Sequence, residues 1–248
     1  MIRDKILKTP SIKVIIDDFI DKRNAENGRE KTPFFFHPYF FNLNCQRQQQ
    51  FYYLESSLNL KFRTKNSGVN AQLQRIFDNG SSMHIRWQKY LEDAGILVEA
   101  EHRFIDQVNR ISGYIDAIVV VNNIKYIVEL KSINHFSFQK LKEPKPEHCI
   151  QVQLYSMVTG LDCFVLYENK NTQEVKEFFV RKNEDVVKQI KSLMFTIKES
   201  PNTKTILQKT DQINLCQSCR YMDICYRHPD ATFNDIFDAN KLKEMEEL

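Results

Sequence analysis

The clearest secondary-structure signal in this chain lies in residues 113–131, GYIDAIVVVNNIKYIVELK. Apolar side chains alternate along both halves of the segment, and Asn122-Asn123 between them is typical of a two-residue turn. The segment therefore predicts a β-hairpin, and a symmetric turn at the asparagines places Asp116 directly opposite Glu129. One face of this hairpin is apolar and suits packing on helices, whereas the face of the two carboxylates is only partly polar.

The two carboxylates and a nearby lysine have the chemistry of metal-assisted phosphodiester hydrolysis. Like charges that face each other across paired strands are destabilising, and a divalent cation such as Mg²⁺ would turn Asp116 and Glu129 into ligands. Lys131 follows on the same face, where its ammonium could orient or help deprotonate the attacking water, or offset charge on a phosphoryl oxygen. The alternative is an ordinary half-exposed strand pair that carries these residues by chance, and a bulged turn would break the pairing.

The flanking sequence alternates between helical and strand patterns. Helices are predicted from Ser11 to near Gly28, from about Gln46 with breaks to Gly95, from about Glu147 to Thr159, and from about Glu184 to Lys198, before Pro201. Within the second stretch, Ser82 can act as an N-cap. Period-two patterns begin at Val98 and return at residues 163–168 and 175–180. This order predicts an α/β domain in which a mixed sheet is flanked by helices.

Three further residues lie where they could support such a site. His84 is at the edge of the apolar stripe of its predicted helix and could point into a cleft, although a surface histidine is the alternative. Gln151 and Tyr155 are four residues apart and share a helix face. The alternative for this pair is a half-buried polar patch; in a nuclease it would hold a phosphate or fix the lysine.

The six cysteines predict a metal site rather than a disulfide framework. Cys216, Cys219 and Cys225 lie within ten residues, and a tetrahedral site needs a fourth thiolate, for which Cys45 is the best candidate. Cys149 and Cys163 are interpreted as small core residues. From the spacing alone, Zn²⁺ and an iron–sulfur cluster are both possible.

Composition excludes several classes of protein. The 248 residues carry a net charge of +3, which is too small for histone-like coating of nucleic acid but compatible with a local basic groove. No apolar run is long enough to span a membrane and no signal peptide is recognisable, so we expect a cytoplasmic protein without a membrane partner. A phosphate-binding Gly-x4-Gly-Lys-Ser/Thr loop is also absent, which excludes the usual ATPase motor.

The order of these features resembles the RecB-type iron–sulfur nucleases of the PD-(D/E)XK class. That group includes small CRISPR-adaptation nucleases, stand-alone phage exonucleases and the nuclease lobe of AddB. The similarity covers residues 40–228 and rests on six motifs in one order. These are Cys45, His84, Gly113-Tyr-Ile-Asp116, Glu129-Leu-Lys131, Gln151-x3-Tyr155 and Cys216-x2-Cys219-x5-Cys225. Gln46 departs from the proline that often follows the first cysteine of this family.

The resemblance implies a set of roles for these residues. His84, Asp116, Glu129 and the backbone carbonyl of Leu130 would hold Mg²⁺ or Mn²⁺. Lys131 would be the catalytic lysine, supported by Gln151 and Tyr155. The remaining motif residues would bind a [4Fe–4S] cluster, with Zn²⁺ as the alternative occupant: Cys45, Cys216, Cys219 and Cys225.

The resemblance implies a restriction-endonuclease-like core with a helical lobe and an iron–sulfur clasp that joins the two ends of the chain. The expected segments are an N-terminal helix and linker (1–33), a lobe with the first cysteine (34–95), a nuclease core (96–200), a cysteine segment (201–228) and a charged helical tail (229–248). The expected function is an exonuclease acting on single-stranded or duplex DNA ends, with a helicase, recombinase or CRISPR-adaptation protein as possible partner. Two alternatives are a non-catalytic DNA-end-binding module and a site-specific endonuclease.

Overall fold

The structure, a computed structural model, describes residues 11–26, 34–58, 60, 62, 69–217, 219–227 and 231–238. Five strands form one sheet in the order β1-β2-β3-β4-β5. They are β1 (Leu97–Asp106), β2 (Ile111–Val121), β3 (Ile124–Ile133), β4 (Cys163–Asn169) and β5 (Val175–Val180). Only β3 and β4 are parallel, and α-helices connect them as a parallel crossover requires. The predicted mixed sheet flanked by helices is therefore confirmed.

The helices of the described residues precede, interrupt and follow the sheet. They are α1 (Ile12–Glu26), α2 (Gln46–Ser57), α3 (Ala71–Asp93), α4 (His135–Lys140), α5 (Pro146–Thr159), α6 (Glu184–Thr203), α7 (Ile213–Gln217), α8 (Met222–Arg227) and α9 (Phe233–Phe237). Gly160 ends α5 in the left-handed conformation that favours glycine, as its position after the predicted helix suggests.

The hairpin forms with the predicted register. Asn122 and Asn123 have φ angles of 50° and 62°, the left-handed backbone at both turn positions that a tight hairpin needs. The ladder runs from the pair Val121 and Ile124 to the pair Ala117 and Val128. The same register continued by one residue brings Asp116 opposite Glu129.

The two faces of the sheet are covered by different helices. On one face, α3 packs through Met83 and Leu91 on a small core formed by Ala117, Val119, Val128, Leu130 and Leu166. The other face belongs to a larger core with α2, α5 and α6. Its strand residues include Ile118, Ile127, Val165 and Tyr167, all buried. Both faces of the hairpin are thus covered, so its carboxylates do not lie on a wet surface.

Two predicted helix boundaries need correction. Ser82 is not an N-cap: it lies inside α3, where its hydroxyl donates to the Asp78 carbonyl, and the helix begins eleven residues earlier with Asn70 capping the Leu73 amide. The helix predicted to end before Pro201 continues to Thr203. The apolar residues of α1 are largely exposed, and Ile20 is its buried residue. The predicted end of that helix near Gly28, the linker that follows and most of the C-terminal tail lie outside the described residues.

The aromatic segment before Cys45 is anchored on the start of β2. Phe36 forms a backbone bridge to Ile111, and its ring stacks on that of Tyr53 in α2 with centroids 4.4 Å apart. A side chain at Gly113 would lie 3.1 Å from the Pro38 ring. Glycine at this position therefore permits the close approach of the aromatic segment that brings Cys45 to the N-terminus of α2.

Candidate active site

Strands β2 and β3 separate at the point where the two carboxylates lie. Their ladder ends at Ala117 and Val128, after which β2 remains paired with β1 and β3 with β4. Asp116 and Glu129 are the first residues of the resulting fork. Both are almost fully buried, with 9% and 1% of their surface exposed. Two buried acidic side chains at the end of a shared ladder form the centre of the candidate site.

Asp116 is held by the backbone of β3 and approached by a histidine from α3. Its Oδ2 accepts a hydrogen bond from the Leu130 amide at 2.7 Å, and its Oδ1 lies 3.4 Å from His84 Nδ1. Burial, followed by the charge of Glu129, raises the pKa of Asp116 well above its ordinary value. The fold therefore places carboxylates where ionising both is costly unless positive charge is nearby.

Lys131 connects Glu129 to the two polar residues of α5. Its Nζ lies 2.6 Å from Glu129 Oε1 and donates to Gln151 Oε1 at 3.0 Å. The Gln151 amide in turn donates to the Tyr155 hydroxyl at 2.7 Å. Burial acts to lower the pKa of the lysine, but Glu129 and Asp116 raise it above its ordinary value. The lysine is therefore charged, and the predicted Gln151–Tyr155 pair holds it.

The position of His84 is set by α3, because two residues that follow it in this helix bind to β4. Arg86 and Trp87 donate to the two oxygens of buried Glu168, at 2.6 and 2.7 Å. Burial lowers the pKa of His84, while the charges of Glu129 and Glu101 and a hydrogen bond with the Leu130 backbone act to raise it. The net lowering favours a neutral imidazole, the form that binds a metal ion.

Glu101 is a site residue that the sequence analysis did not single out. It lies in β1 between the pairs Ala100–Ala117 and His102–Ile115, and so opposite Asp116. Ligand atoms of His84, Glu101 and Asp116 all lie within 4.8 Å of one another. The period-two pattern that starts at Val98 marks β1, but its register with β2 cannot be read from the pattern.

The residues of the fork fit a divalent cation. Imidazole and carboxylate are ligands that such ions accept, and those of His84, Glu101 and Asp116 converge here from α3, β1 and β2. The buried Oε2 of Glu129 has no hydrogen-bond partner among the described residues. A buried carboxylate oxygen without a partner is costly, and a cation would satisfy it.

The four predicted cluster cysteines line one cavity. Cys45 is the N-cap residue of α2, Cys216 lies in α7, Cys219 follows it and Cys225 lies in α8. Burial raises the pKa of Cys225 to about 11 and that of Cys219 above its ordinary value, so holding thiolates here requires positive charge. Cys149 and Cys163 do not line this cavity, and Cys163 is fully buried in β4. The four thiols are of the type that binds an iron–sulfur cluster or Zn²⁺ and lie around one cavity, although no three of their sulfur atoms lie within 4.8 Å of one another.

Comparison with solved structures identifies similar folds. SSO0001 superposes with a TM-score of 0.53 over 88% of this chain and 97% of that protein, at 14% sequence identity. An alkaline exonuclease, LHK-Exo from Laribacter hongkongensis, superposes with a TM-score of 0.51 over 68% of this chain and 88% of its own, at 16% identity. Scans against protein-family models and against curated proteins found no match. The chain thus has a mixed α/β fold that is also found in an alkaline exonuclease.

Among the described residues, no helix is both long and apolar enough to cross a membrane.

Proposed function

We propose that this protein is a metal-dependent DNA nuclease of the PD-(D/E)XK class, acting as an exonuclease on single-stranded or duplex DNA ends. The observation that carries the proposal is the fork between β2 and β3. There Asp116, Glu129 and Lys131 lie together in a buried site, and α3 brings His84 to 3.4 Å from the Asp116 carboxylate. A chance pair of acidic residues on a strand surface would have neither the burial nor the converging partners.

The side chains divide the chemistry among them. His84, Asp116, Glu129 and the Leu130 carbonyl would hold Mg²⁺ or Mn²⁺, which when bound stabilises negative charge on the phosphoryl group. Lys131 lies beside Glu129 and is positioned to orient the attacking water and to take part in its deprotonation. Gln151 accepts a hydrogen bond from the ammonium and donates one to Tyr155, so these two residues would hold the lysine in position.

The similarity of fold supports a nuclease. LHK-Exo is an alkaline exonuclease whose fold superposes on 68% of this chain. Because the net charge of this protein is only +3, affinity for DNA would come from local basic residues around the fork rather than from the whole surface. A helicase, recombinase or CRISPR-adaptation partner would supply the processivity that a chain without a phosphate-binding loop lacks.

We further propose that Cys45, Cys216, Cys219 and Cys225 hold a structural [4Fe–4S] cluster, with Zn²⁺ as the alternative. The four cysteines line one cavity although Cys45 and Cys216 are 171 residues apart, which supports a single four-thiolate site. The Gln48 amide of α2 lies 3.6 Å from Cys219 Sγ, so the two segments are in contact at this cavity. When bound, the cluster or Zn²⁺ would connect α2 to the α7–α8 segment through its thiolate ligands, and its role would be structural rather than redox.

The nuclease proposal is tested with anaerobically purified protein and end-labelled single- and double-stranded DNA, with and without Mn²⁺. We expect metal-dependent shortening from the ends by the wild type and none by Asp116→Asn. Binding of DNA ends without cleavage would contradict the proposal in favour of an end-binding module. Cuts at defined internal positions would contradict it in favour of a site-specific endonuclease.

A further inference from the structure

The backbone of β1 is irregular where Glu101 lies opposite Asp116. The φ angle of Glu101 is 50°, in the left-handed region that non-glycine residues rarely adopt, and the β1–β2 register shifts between Leu97 and Glu99. A regular strand would continue the alternation of side chains without interruption. The irregular backbone instead turns the Glu101 carboxylate toward α3, where it meets Gln88.

Gln88 fixes the direction of this carboxylate relative to Asp116. Its side-chain amide donates to Glu101 Oε1 at 2.8 Å and to the Asp116 carbonyl oxygen at 3.0 Å. Gln88 is four residues after His84 and therefore lies on the same face of α3. One helix face thus carries both a candidate ligand and the amide that orients a second carboxylate toward it.

Glu129 gives an independent indication that a cation belongs between these groups. Only 1% of the residue is exposed, its Oε1 is committed to Lys131, and its Oε2 has no hydrogen-bond partner among the described residues. The charges of Glu129 and Glu101 both act on His84 and on Asp116. His84, Glu101 and Asp116 therefore surround one small volume, and the nearby charge of Glu129 acts on two of them.

We propose that Glu101 is an additional side-chain ligand of the divalent cation and that Gln88 is its positioning residue. The inference rests on the proposed metal-dependent function and extends the ligand set beyond the residues of the hairpin and His84. With three carboxylates against one lysine, the net charge around the cation is −2, which a divalent ion balances. The site is consequently built to bind a hard divalent cation through ligands from three adjacent strands and one helix.

The test measures Mn²⁺ binding directly, so that it does not depend on turnover. Mn²⁺ is titrated into the whole protein with its four-cysteine site occupied, and free Mn²⁺ is followed by electron paramagnetic resonance. We expect Glu101→Gln to weaken Mn²⁺ binding about 10- to 100-fold and to reduce the rise in melting temperature that Mn²⁺ produces. Gln88→Met should weaken binding by a smaller factor, since the ligand stays but its orientation is lost.

Glu99→Gln is the matched control, because Glu99 is an exposed carboxylate on the same strand; its Mn²⁺ affinity should equal that of the wild type. Wild-type affinity in Glu101→Gln would overturn the role of Glu101 and leave the proposed function standing. A wild type that binds no Mn²⁺ would overturn both. Circular dichroism of each variant verifies that the fold is retained.

Discussion

At the level of single residues, the two facing carboxylates have different partners and therefore different effects on stability. Asp116 accepts one backbone hydrogen bond and otherwise faces negative charge, whereas Glu129 is the counter-ion of a buried lysine. The expectation from the hairpin alone, that removing either charge relieves repulsion, therefore applies to Asp116 only. Removing Glu129 leaves the Lys131 ammonium with Gln151 as its remaining hydrogen-bond partner at this site.

We predict that Asp116→Asn and Glu129→Gln both abolish DNA cleavage but change stability in opposite directions. Asparagine keeps an acceptor for the Leu130 amide and removes repulsion, so the melting temperature should hold or rise. Glu129→Gln should lower the unfolding free energy by about 1–3 kcal/mol, because the buried Lys131 ammonium loses its ion pair. Urea unfolding measures this difference, and Glu177→Gln on exposed β5 is the control. Equal stability changes in the two variants, or retained cleavage, would contradict the assignment.

Lys131 is predicted to serve catalysis rather than metal binding. Lys131→Met should reduce the cleavage rate by about 10²-fold or more, the scale of lost acid–base assistance. Its Mn²⁺ affinity should stay equal or increase, since Glu129 loses a competing partner. Lys125→Met on the same strand is the control and should keep full activity. If calorimetry showed that Lys131→Met loses Mn²⁺ binding together with activity, the lysine would be structural.

At the level of elements, the site depends on how α3 and α5 are fastened to the sheet. Glu168 in β4 binds α3 through Arg86 and Trp87, and this connection sets the position of His84 two residues away. On the opposite face, His148 at the start of α5 lies 2.7 Å from the Tyr167 hydroxyl in β4. The helix that carries Gln151 is thus attached to the strand beside Lys131.

The attachment of α5 predicts a pH-dependent stability. Burial and the charges of Lys131 and Lys145 lower the pKa of His148 from 6.5 to about 3. In the unfolded chain this histidine binds a proton near pH 6.5, whereas in the folded protein it stays neutral to about pH 3. The contribution of His148 to the unfolding free energy is therefore fully present above pH 6.5 and is lost progressively as the pH falls from 6.5 to about 3.

Replacing the histidine should remove that dependence. His148→Gln keeps a polar partner for Tyr167 but cannot be protonated, so the decrease in unfolding free energy from pH 7.5 to pH 5.0 should be smaller than in the wild type. Urea unfolding at both values is the measurement. His102→Gln is the control because it replaces a histidine in β1, outside both α5 and β4. An unchanged pH dependence in His148→Gln would show that the histidine does not titrate on unfolding.

At the level of the whole molecule, the cysteine site joins distant segments that polar contacts already bring together. Gln50 in α2 donates to the Thr205 carbonyl and accepts from the Leu207 amide, and Glu55 is bound by Arg220 and Tyr221. These contacts give the two segments a preferred arrangement without a metal. A cluster would then stabilise the existing contact between α2 and the C-terminal segment rather than create it.

We predict that anaerobically purified protein is brown and that Cys216→Ser or Cys45→Ser removes the colour. Loss of the cluster should make the α7–α8 segment sensitive to protease, while the α3 side of the sheet stays resistant because the small core there contains no cysteine. Cys149→Ser, outside the cavity, is the control and should stay brown. Visible absorption, iron analysis and limited proteolysis are the measurements. A colourless protein with stoichiometric zinc would refute the cluster and retain the connection; full colour in Cys45→Ser would refute the fourth ligand.

The sequence alone determined the hairpin and the facing of its two carboxylates. Alternating apolar residues and a turn that asparagines can adopt are local properties, and they specify the register without any distant contact. The grouping of Gln151 with Tyr155 followed from helical spacing for the same reason. The N-cap of α3 was placed at Ser82 instead of Asn70 because serine and asparagine both favour that position.

Only the tertiary structure decided what surrounds those carboxylates. The proximity of His84 depends on how α3 crosses the sheet, and Glu101 joins the site through an irregular backbone conformation in β1. The burial of Glu129 likewise follows from α5 packing over its face. These are consequences of contacts between residues far apart in the chain, and local periodicity carries no information about the register or angle at which separate elements meet.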